Sequence, residues 1–210
     1  MEHKEHFHGS DLEKIEKIYG IKKEELVSFS ANVNPLGLSE LVKKELSNHL
    51  DCLTAYPDRE YTGLRKAIAS YVNCDYQNVL VGNGASELIS LLAKVCKPKK
   101  ALILGPTYSE YEHSIGLTGG KSDYFELMEK DNFVLDKECL LAHLDAGYDL
   151  CVLCNPNNPT SALIEKGALE EVLSVAKENN VLMLVDETYM EFVSDVDSVS
   201  AIGLTSKYSN

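Results

Sequence analysis

The strongest constraint on the fold of this 210-residue chain is a regular alternation of short apolar runs with segments of helix length. Apolar runs separated by helices are typical of βαβ units, in which helices cover both faces of a mostly parallel sheet. We expect strands at 78–81, 101–104, 122–127, 150–154 and 181–186, and helices at 85–96, 108–116, 136–144 and 165–179. The sequence therefore predicts an α/β fold with a three-layer αβα arrangement.

The first fifty residues do not follow this alternation. An amphipathic helix is expected at 11–20, and an extended, turn-rich segment at 28–37 precedes a helix at 39–50. A further helix is expected at 62–72. We interpret residues 1–50 as an arm that leads into one large domain.

Charge and hydropathy exclude several classes of partner. The chain carries 33 acidic and 20 basic side chains, a net charge of −13, so no basic field attracts nucleic acid or an anionic membrane. No run approaches the roughly 18 apolar residues of a bilayer span, and residues 1–10 lack the apolar stretch of a signal peptide. We expect a cytoplasmic protein that binds neither nucleic acid nor membrane.

The six cysteines are scattered and do not show the dense spacing of a secreted disulfide framework, so reduced thiols are expected. Cys151 and Cys154 form a CxxC inside an apolar run, with no second pair to complete four zinc ligands. His3, His6 and His8 form a cluster in a terminal tail, where rigid ligand geometry is rare. We expect no metal site.

Ligands of open parallel sheets bind beyond the carboxyl ends of the strands, so residues that follow each strand are candidates for a site. The first such segment is VGNGASE (81–87). Gly82 and Gly84 let the backbone approach an anion where the next helix begins, and helix N-termini attract negative charge. The segment predicts a phosphate cradle, with an ordinary strand-to-helix turn as the alternative.

Three more segments follow strands. Tyr108, in GPTYSEY (105–111), can stack on a flat heterocycle or serve as a packing aromatic. The loop CNPNNPT (154–160) offers side-chain amides to a ligand oxygen, although asparagine and proline also form plain turns. Asp186 ends an apolar strand, where a carboxylate needs a positively charged partner unless it caps a helix.

In this order, GNGASE, PTYSEY, CNPNNPT and DETYMEF resemble the large domain of the pyridoxal-phosphate-dependent class I/II aminotransferases, over nearly the whole chain. SFSANVNPLG (28–37) and YPDREY (56–61) are similar to segments of histidinol-phosphate aminotransferases and threonine-phosphate decarboxylases. The resemblance implies pyridoxal 5'-phosphate as cofactor and a homodimer. It also implies that residues 1–50 hold the arm and part of a small domain, and 51–210 an incomplete, truncated large domain.

The resemblance assigns the cofactor phosphate to backbone N–H groups around Gly84, Ala85 and Ser86. Tyr108 would stack on the pyridine ring. The tyrosine that matches Tyr56 reaches the cofactor phosphate of the neighbouring subunit in related dimers, which implies shared sites.

The resemblance also implies the catalytic groups. Asp186 would face the protonated ring nitrogen, while Asn158 and Tyr189 would hydrogen-bond the phenolic oxygen. Keeping the nitrogen protonated makes the ring an electron sink for negative charge at the substrate's α-carbon.

The chain departs from the family pattern in two ways. Ser161 replaces the glycine that most relatives have after the asparagine–proline motif. The Schiff-base lysine is expected to be absent, because it lies further from the strand-end aspartate than the 24 residues that follow Asp186 here. Lys207 in LTSKYSN only superficially resembles its turn, so we expect the 210-residue chain alone to be inactive.

Three functions remain open. The leading hypothesis is a histidinol-phosphate-type aminotransferase of amino-acid metabolism, which transfers an amino group from an amino acid or a phosphorylated amino compound to a 2-oxo acid. The second is a threonine-phosphate-decarboxylase-like lyase of cobamide synthesis, since His8, Gly9 and Asn32 resemble that enzyme's contacts with the substrate phosphate. The third is a non-catalytic fragment or binding module.

Overall fold

The computed structural model describes residues 11–27, 29 and 32–210 of the chain. The chain forms two compact units, Met1–Glu60 and Tyr61–Asn210. The division at residues 50 and 51 that the resemblance implies stays a prediction.

The described part of the first unit holds two α-helices, α1 (Leu12–Tyr19) and α2 (Glu40–Asn48), and short 3-10 segments at Lys23–Glu25 and Leu50–Thr54. Gly20 ends α1 in the left-handed conformation, with φ +69°. The Ser39 hydroxyl caps α2 by accepting a hydrogen bond from the N–H of Val42. Neither helix has a buried residue.

The second unit is an α/β domain, as the alternation predicts. Its helices are α3 (Thr62–Val72), α4 (Ala85–Cys96), α5 (Glu110–Leu117), α6 (Lys137–His143) and α7 (Lys166–Glu178). Its strands are β1 (Lys100–Gly105), β2 (Lys121–Glu126), β3 (Leu150–Cys154) and β4 (Leu182–Asp186), all parallel in the order β2-β1-β3-β4. The predicted bounds of these elements hold to within two residues.

Alternate side chains of the strands enter two separate cores. Leu102 and Leu153 belong to a cluster with Leu140 of α6 and with Leu169 and Val172 of α7. Their sequence neighbours Ile103 and Val152 belong to the other cluster, with Ile89 of α4 and with Tyr111 and Ile115 of α5. Because successive side chains of a strand point to opposite faces, helices cover both faces and the three-layer prediction is confirmed.

The strand predicted at 78–81 does not form, and this prediction was wrong. Residues Tyr76–Asn78 make a 3-10 turn, and Leu80 is 66% exposed. The guanidinium of Arg65 donates to the carbonyls of Val79 (2.8 Å) and Tyr76 (3.1 Å). A side chain of α3 therefore satisfies one carbonyl of the predicted strand, that of Val79.

Two further expectations concern metals and membranes. None of the helices in the described part of the chain combines the length and apolar character needed to cross a bilayer. Within residues 11–27, 29 and 32–210, no three histidine, cysteine or acidic side chains are grouped to hold a metal ion. His3, His6 and His8 lie outside these residues.

Candidate active site

The site candidates gather at the edge of the sheet where the strands end. The register pairs Cys154, the last residue of β3, with Asp186, the last residue of β4. β1 pairs with β3 through Ile103 and Val152, so β1 also ends at this edge, just before Tyr108. Ligands of parallel sheets bind at such an edge.

The N-terminus of α4 depends on Gly84. This residue has φ +80°, a conformation that glycine adopts at little cost and other residues avoid. A Cβ at this position would meet no atom within 4 Å, so the demand for glycine is conformational and not steric. The turn therefore places backbone that carries no side chain at the start of α4.

Two N–H groups at this turn are already engaged. The N–H of Gly84 bonds the carbonyl two residues before it at 3.0 Å, and the N–H of Asn83 bonds the carboxylate of Glu87. The first N–H groups of a helix have no partner within the helix. Those of Ala85 and Ser86 are the groups that the turn can offer to an anion.

Tyr108 lies beside this turn. Its hydroxyl is 3.1 Å from the hydroxyl of Ser86, and its ring packs edge-on against Tyr111, with centroids 5.7 Å apart. The ring is half-buried. The start of α4 and the loop after β1 are thus adjacent, as a shared site requires.

Three donors hold the carboxylate of Asp186. Its Oδ1 accepts from the N–H (2.9 Å) and the hydroxyl (2.6 Å) of Thr188. Its Oδ2 accepts from the hydroxyl of Tyr111 at 2.7 Å. Residues 187–193 form a turn and a short 3-10 segment, so Asp186 caps no α-helix. The carboxylate is half-buried and fixed in orientation at the end of β4.

The hydroxyl of Tyr111 is a permanent donor in this network. Burial raises the pKa of Tyr111, and the nearby Cys154 and Asp186 raise it further. Burial also raises the pKa of the Cys154 thiol, and it raises the pKa of Cys151 to about 12. Both cysteines are buried free thiols, which does not suit a metal-binding or redox pair.

The asparagine loop is held by two of its three asparagines. The side chain of Asn155, which is fully buried, bonds the N–H (2.8 Å) and carbonyl (3.0 Å) of Ile164. The amide nitrogen of Asn157 donates to the carbonyl of Pro106 at 2.9 Å, which ties the loop to the end of β1. The half-buried side chain of Asn158 takes no part in these bonds. Its amide is the one that the loop leaves for a ligand.

The other predicted site residues are less constrained. Tyr189 follows Asp186 by three residues, and its half-buried ring lies 6.3 Å from that of Phe192. In the first unit, Tyr56 is fully exposed and Asn32 is exposed. His8 and Gly9 lie outside the described residues, and the substrate contacts assigned to them stay predictions.

Lys207 does not have the environment of a nucleophilic amine. Its ammonium group bonds the carboxylate of Glu170 on α7, and that hydrogen bond, with the charge behind it, raises the pKa of Lys207. An amine must lose its proton before it can attack a carbonyl. The pairing with Glu170 opposes that loss.

Sequence reasoning missed Tyr111 and Thr188, which hold Asp186 in place. Tyr111 stands in the segment chosen for Tyr108, three residues further on, which is helical spacing. That spacing was the available signal. The sequence offered no comparable signal for Thr188, because its role depends on a local turn after β4.

The chain is similar in sequence to known proteins. The family model described as "Aminotransferase class I and II" matches residues 24–210. Threonine-phosphate decarboxylase of Salmonella typhimurium is 34% identical over 186 residues, 89% of this chain and 51% of that protein. Histidinol-phosphate aminotransferase of Methanothermobacter thermautotrophicus is 32% identical over 187 residues, 88% of this chain and 49% of that protein.

A solved structure has the same fold. The crystal structure of histidinol-phosphate aminotransferase from Clostridium acetobutylicum matches with a TM-score of 0.77 and 34% identity. The match covers 88% of this chain and 53% of that chain. The present chain thus spans about half the length of the curated relatives it matches.

Pyridoxal 5'-phosphate is the cofactor of this family, and the residues of this chain fit it. A carboxylate oriented by three donors suits a protonated ring nitrogen, and the open start of α4 suits a phosphate. The family model covers most of the chain, and the fold agrees with that of an aminotransferase. The chain belongs to the class I and II aminotransferase family.

Proposed function

We propose that this chain is the cofactor-binding part of a pyridoxal-phosphate-dependent aminotransferase of the histidinol-phosphate type. The observation that carries the proposal is the Asp186 carboxylate, oriented by Tyr111 and Thr188 at the edge where the strands end. When bound, the cofactor supplies a ring that accepts electron density from the α-carbon of an amino substrate. The residues of this chain bind that ring and control its charge.

Asp186 is the residue that controls the charge. Opposite charges about 4 Å apart attract by roughly 4 kcal/mol at an effective dielectric of 20. A carboxylate beside the ring nitrogen therefore favours the protonated ring, and protonation makes the ring a better electron acceptor. The fixed orientation of Asp186 means that little reorganisation is needed when charge develops.

The remaining roles follow from the same edge of the sheet. The N–H groups of Ala85 and Ser86 bind the phosphate at the positive end of α4, with Gly84 shaping the turn. Tyr108 stacks on the ring. Two further donors, Asn158 and Tyr189, bind the phenolic oxygen, and the loop leaves the Asn158 amide for that purpose.

The proposal extends to the whole protein. Because the chain spans about half the length of its relatives, we infer that the lysine that binds the cofactor covalently lies in a part of the enzyme other than these residues. The pairing of Lys207 with Glu170 supports this inference. We further propose a cytoplasmic homodimer in which Tyr56 completes the site of the neighbouring subunit.

Decarboxylation of threonine phosphate is the second candidate. The observation that favours it is the 34% identity to the Salmonella typhimurium decarboxylase, against 32% for the Methanothermobacter thermautotrophicus aminotransferase. Both candidates act on a phosphorylated amino compound, and His8, Gly9 and Asn32 are the residues proposed to bind the substrate phosphate. The two differ in which bond of the α-carbon breaks. A non-catalytic binding module is the third possibility.

Two assays separate these functions in a protein that contains this chain and the remainder of the enzyme. With histidinol phosphate and 2-oxoglutarate, the proposed aminotransferase forms glutamate. With threonine phosphate, a decarboxylase releases carbon dioxide. Activity on unphosphorylated amino acids only would reject a phosphorylated substrate, and no turnover of any amino compound would favour the binding module.

Asp186→Ala tests the mechanism in the same protein. We expect turnover to be abolished while cofactor affinity falls much less, because the carboxylate acts on the charge of the ring and the phosphate carries much of the binding. Asp123→Ala, on the edge strand β2, is the matched control and should keep parental turnover. Equal rates for Asp186→Ala and the parent would reject the assignment.

A further inference from the structure

Tyr111 is a buried phenol whose hydroxyl binds the carboxylate of Asp186. It lies on α5, is only 1% exposed, and belongs to the apolar cluster that α4 and α5 form against β1 and β3. Its hydroxyl donates to Oδ2 of Asp186 at 2.7 Å. A buried hydroxyl needs a hydrogen-bond partner, and this one is directed at the carboxylate on which the proposed function depends.

The two residues that donate to the Asp186 carboxylate constrain it differently. Thr188 follows Asp186 by two residues and closes a local turn, so it moves together with the carboxylate. Tyr111 lies 75 residues away on another element. Among the hydrogen bonds that the described residues make to this carboxylate, only the one from Tyr111 comes from another element. The phenol also keeps its proton at high pH, because burial raises the pKa of Tyr111.

Tyr111 also touches the second group assigned to the ring. Its own ring stands at 89° to that of Tyr108, with centroids 5.7 Å apart. One rigid side chain thus contacts both the carboxylate proposed for the ring nitrogen and the aromatic proposed to stack on the ring. The buried cluster packs around the ring of Tyr111 and fixes its position, so the geometry of both contacts is fixed as well.

We propose that Tyr111 is a positioning residue for cofactor binding: it directs the Asp186 carboxylate at the ring nitrogen and supports the Tyr108 ring. The inference rests on the proposed function, since it requires Asp186 to face that nitrogen. Tyr111 itself does not touch the cofactor. Its hydroxyl acts through Asp186, so its loss should weaken recognition of the nitrogen and leave recognition of the phosphate intact.

The test compares two ligands by calorimetric titration of the chain: pyridoxal phosphate, and its 1-deaza analogue with a C–H group in place of the ring nitrogen. The ratio of the two affinities reports the contact to the nitrogen alone. We expect the parent chain to prefer pyridoxal phosphate. Tyr111→Phe should reduce this preference about tenfold to a hundredfold, the value of one hydrogen bond to a charged group, without changing affinity for the analogue.

Three variants make the outcome specific. Tyr148→Phe removes a buried hydroxyl that donates to Asp123 at 3.1 Å, and it should leave the ratio unchanged. Tyr111→His keeps a donor and should restore part of the preference, which also covers the case in which Tyr111→Phe fails to fold. Asp186→Asn should abolish the preference.

The possible results separate the inference from the proposed function. If Asp186→Asn abolishes the preference and Tyr111→Phe retains it, the positioning role is wrong and the proposed function stands. If Tyr111→Phe weakens both ligands equally, the role of Tyr111 is structural only, and the inference is overturned. The assignment of Asp186 fails if the parent chain shows no preference for pyridoxal phosphate, or if Asp186→Asn keeps the parental preference. The role of Tyr111 then fails with it.

Discussion

The carbonyl of Asn210 accepts a 2.8 Å hydrogen bond from the N–H of Met183, on the edge of β4 that faces away from β3. Apolar cavities of about 560 Å³ and about 410 Å³ lie beside β4. The first lies between β4 and α4, and Leu80 and Val95 line it with 66% and 72% of their surfaces exposed. An apolar surface beside the edge strand of a sheet favours association with other chains.

We therefore expect the 210-residue chain to self-associate through this surface. Val95→Glu should reduce self-association measured by sedimentation velocity, because a charge on the cavity wall makes burial costly. Leu117→Glu, at an equally exposed leucine (67%) that ends α5, is the matched control and should have no effect. Equal self-association of both variants would place the contact elsewhere.

Ser161 offers a test of backbone strain. It has φ +60° in the turn that its N–H closes with the carbonyl of Asn157 at 2.7 Å. This is the left-handed region that glycine adopts at less cost than serine. Ser161→Gly should raise the free energy of unfolding by about 0.5–1 kcal/mol in urea denaturation.

The control for this substitution is Ser109→Gly. Ser109 has φ −69°, where glycine relieves no strain and only adds freedom to the unfolded chain. We expect Ser109→Gly to lower the free energy of unfolding. If both variants are destabilised alike, the turn at Ser161 is not strained.

Glu187 should make stability depend on pH. Burial raises the pKa of Glu187 above 4.5, although the Ser200 hydroxyl (2.9 Å) and the Ala201 N–H donate to its carboxylate. Between 4.5 and the raised pKa the folded state binds more protons than the unfolded state, so the free energy of unfolding falls as pH rises. Glu187→Gln removes this fall in the free energy of unfolding, and its side-chain amide keeps an acceptor oxygen.

The advantage of Glu187→Gln over the parent should therefore be absent below pH 4.5 and grow to a constant value above the raised pKa. Denaturation at a series of pH values measures it. Glu178→Gln, at an exposed position on α7, is the control for the loss of one negative charge. An advantage for Glu187→Gln that grows as the pH falls would contradict the argument.

The sequence predicted the fold well where a pattern recurs and less well where one contact decides the structure. The runs at 101–104 and 150–154 became strands because neighbouring strands and covering helices bury them. The run at 78–81 has a similar composition and pairs with no strand of the described sheet, and Arg65 binds the carbonyl of Val79 within it. No local pattern at 78–81 reveals a guanidinium that comes from α3.

The candidate site shows the same limit. Asp186 and Tyr108 were predicted because they follow strands and match a family motif. In the structure, Tyr111 contacts both of them. Tyr111 itself was missed, because its importance depends on a hydrogen bond across 75 residues. The roles of Tyr56 and Asn32, which lie in the first unit, stay predictions.

The central claim is that one cofactor site spans the start of α4 and the end of β4. The most direct measurement is a titration of the isotopically labelled chain with pyridoxal phosphate, followed by ¹H–¹⁵N amide chemical shifts. We predict saturable shifts that are largest at Ala85 and Ser86 and extend to Tyr108 and Asp186. Shifts centred on Lys207 and α7, or no saturable shift at the four predicted residues, would contradict the account.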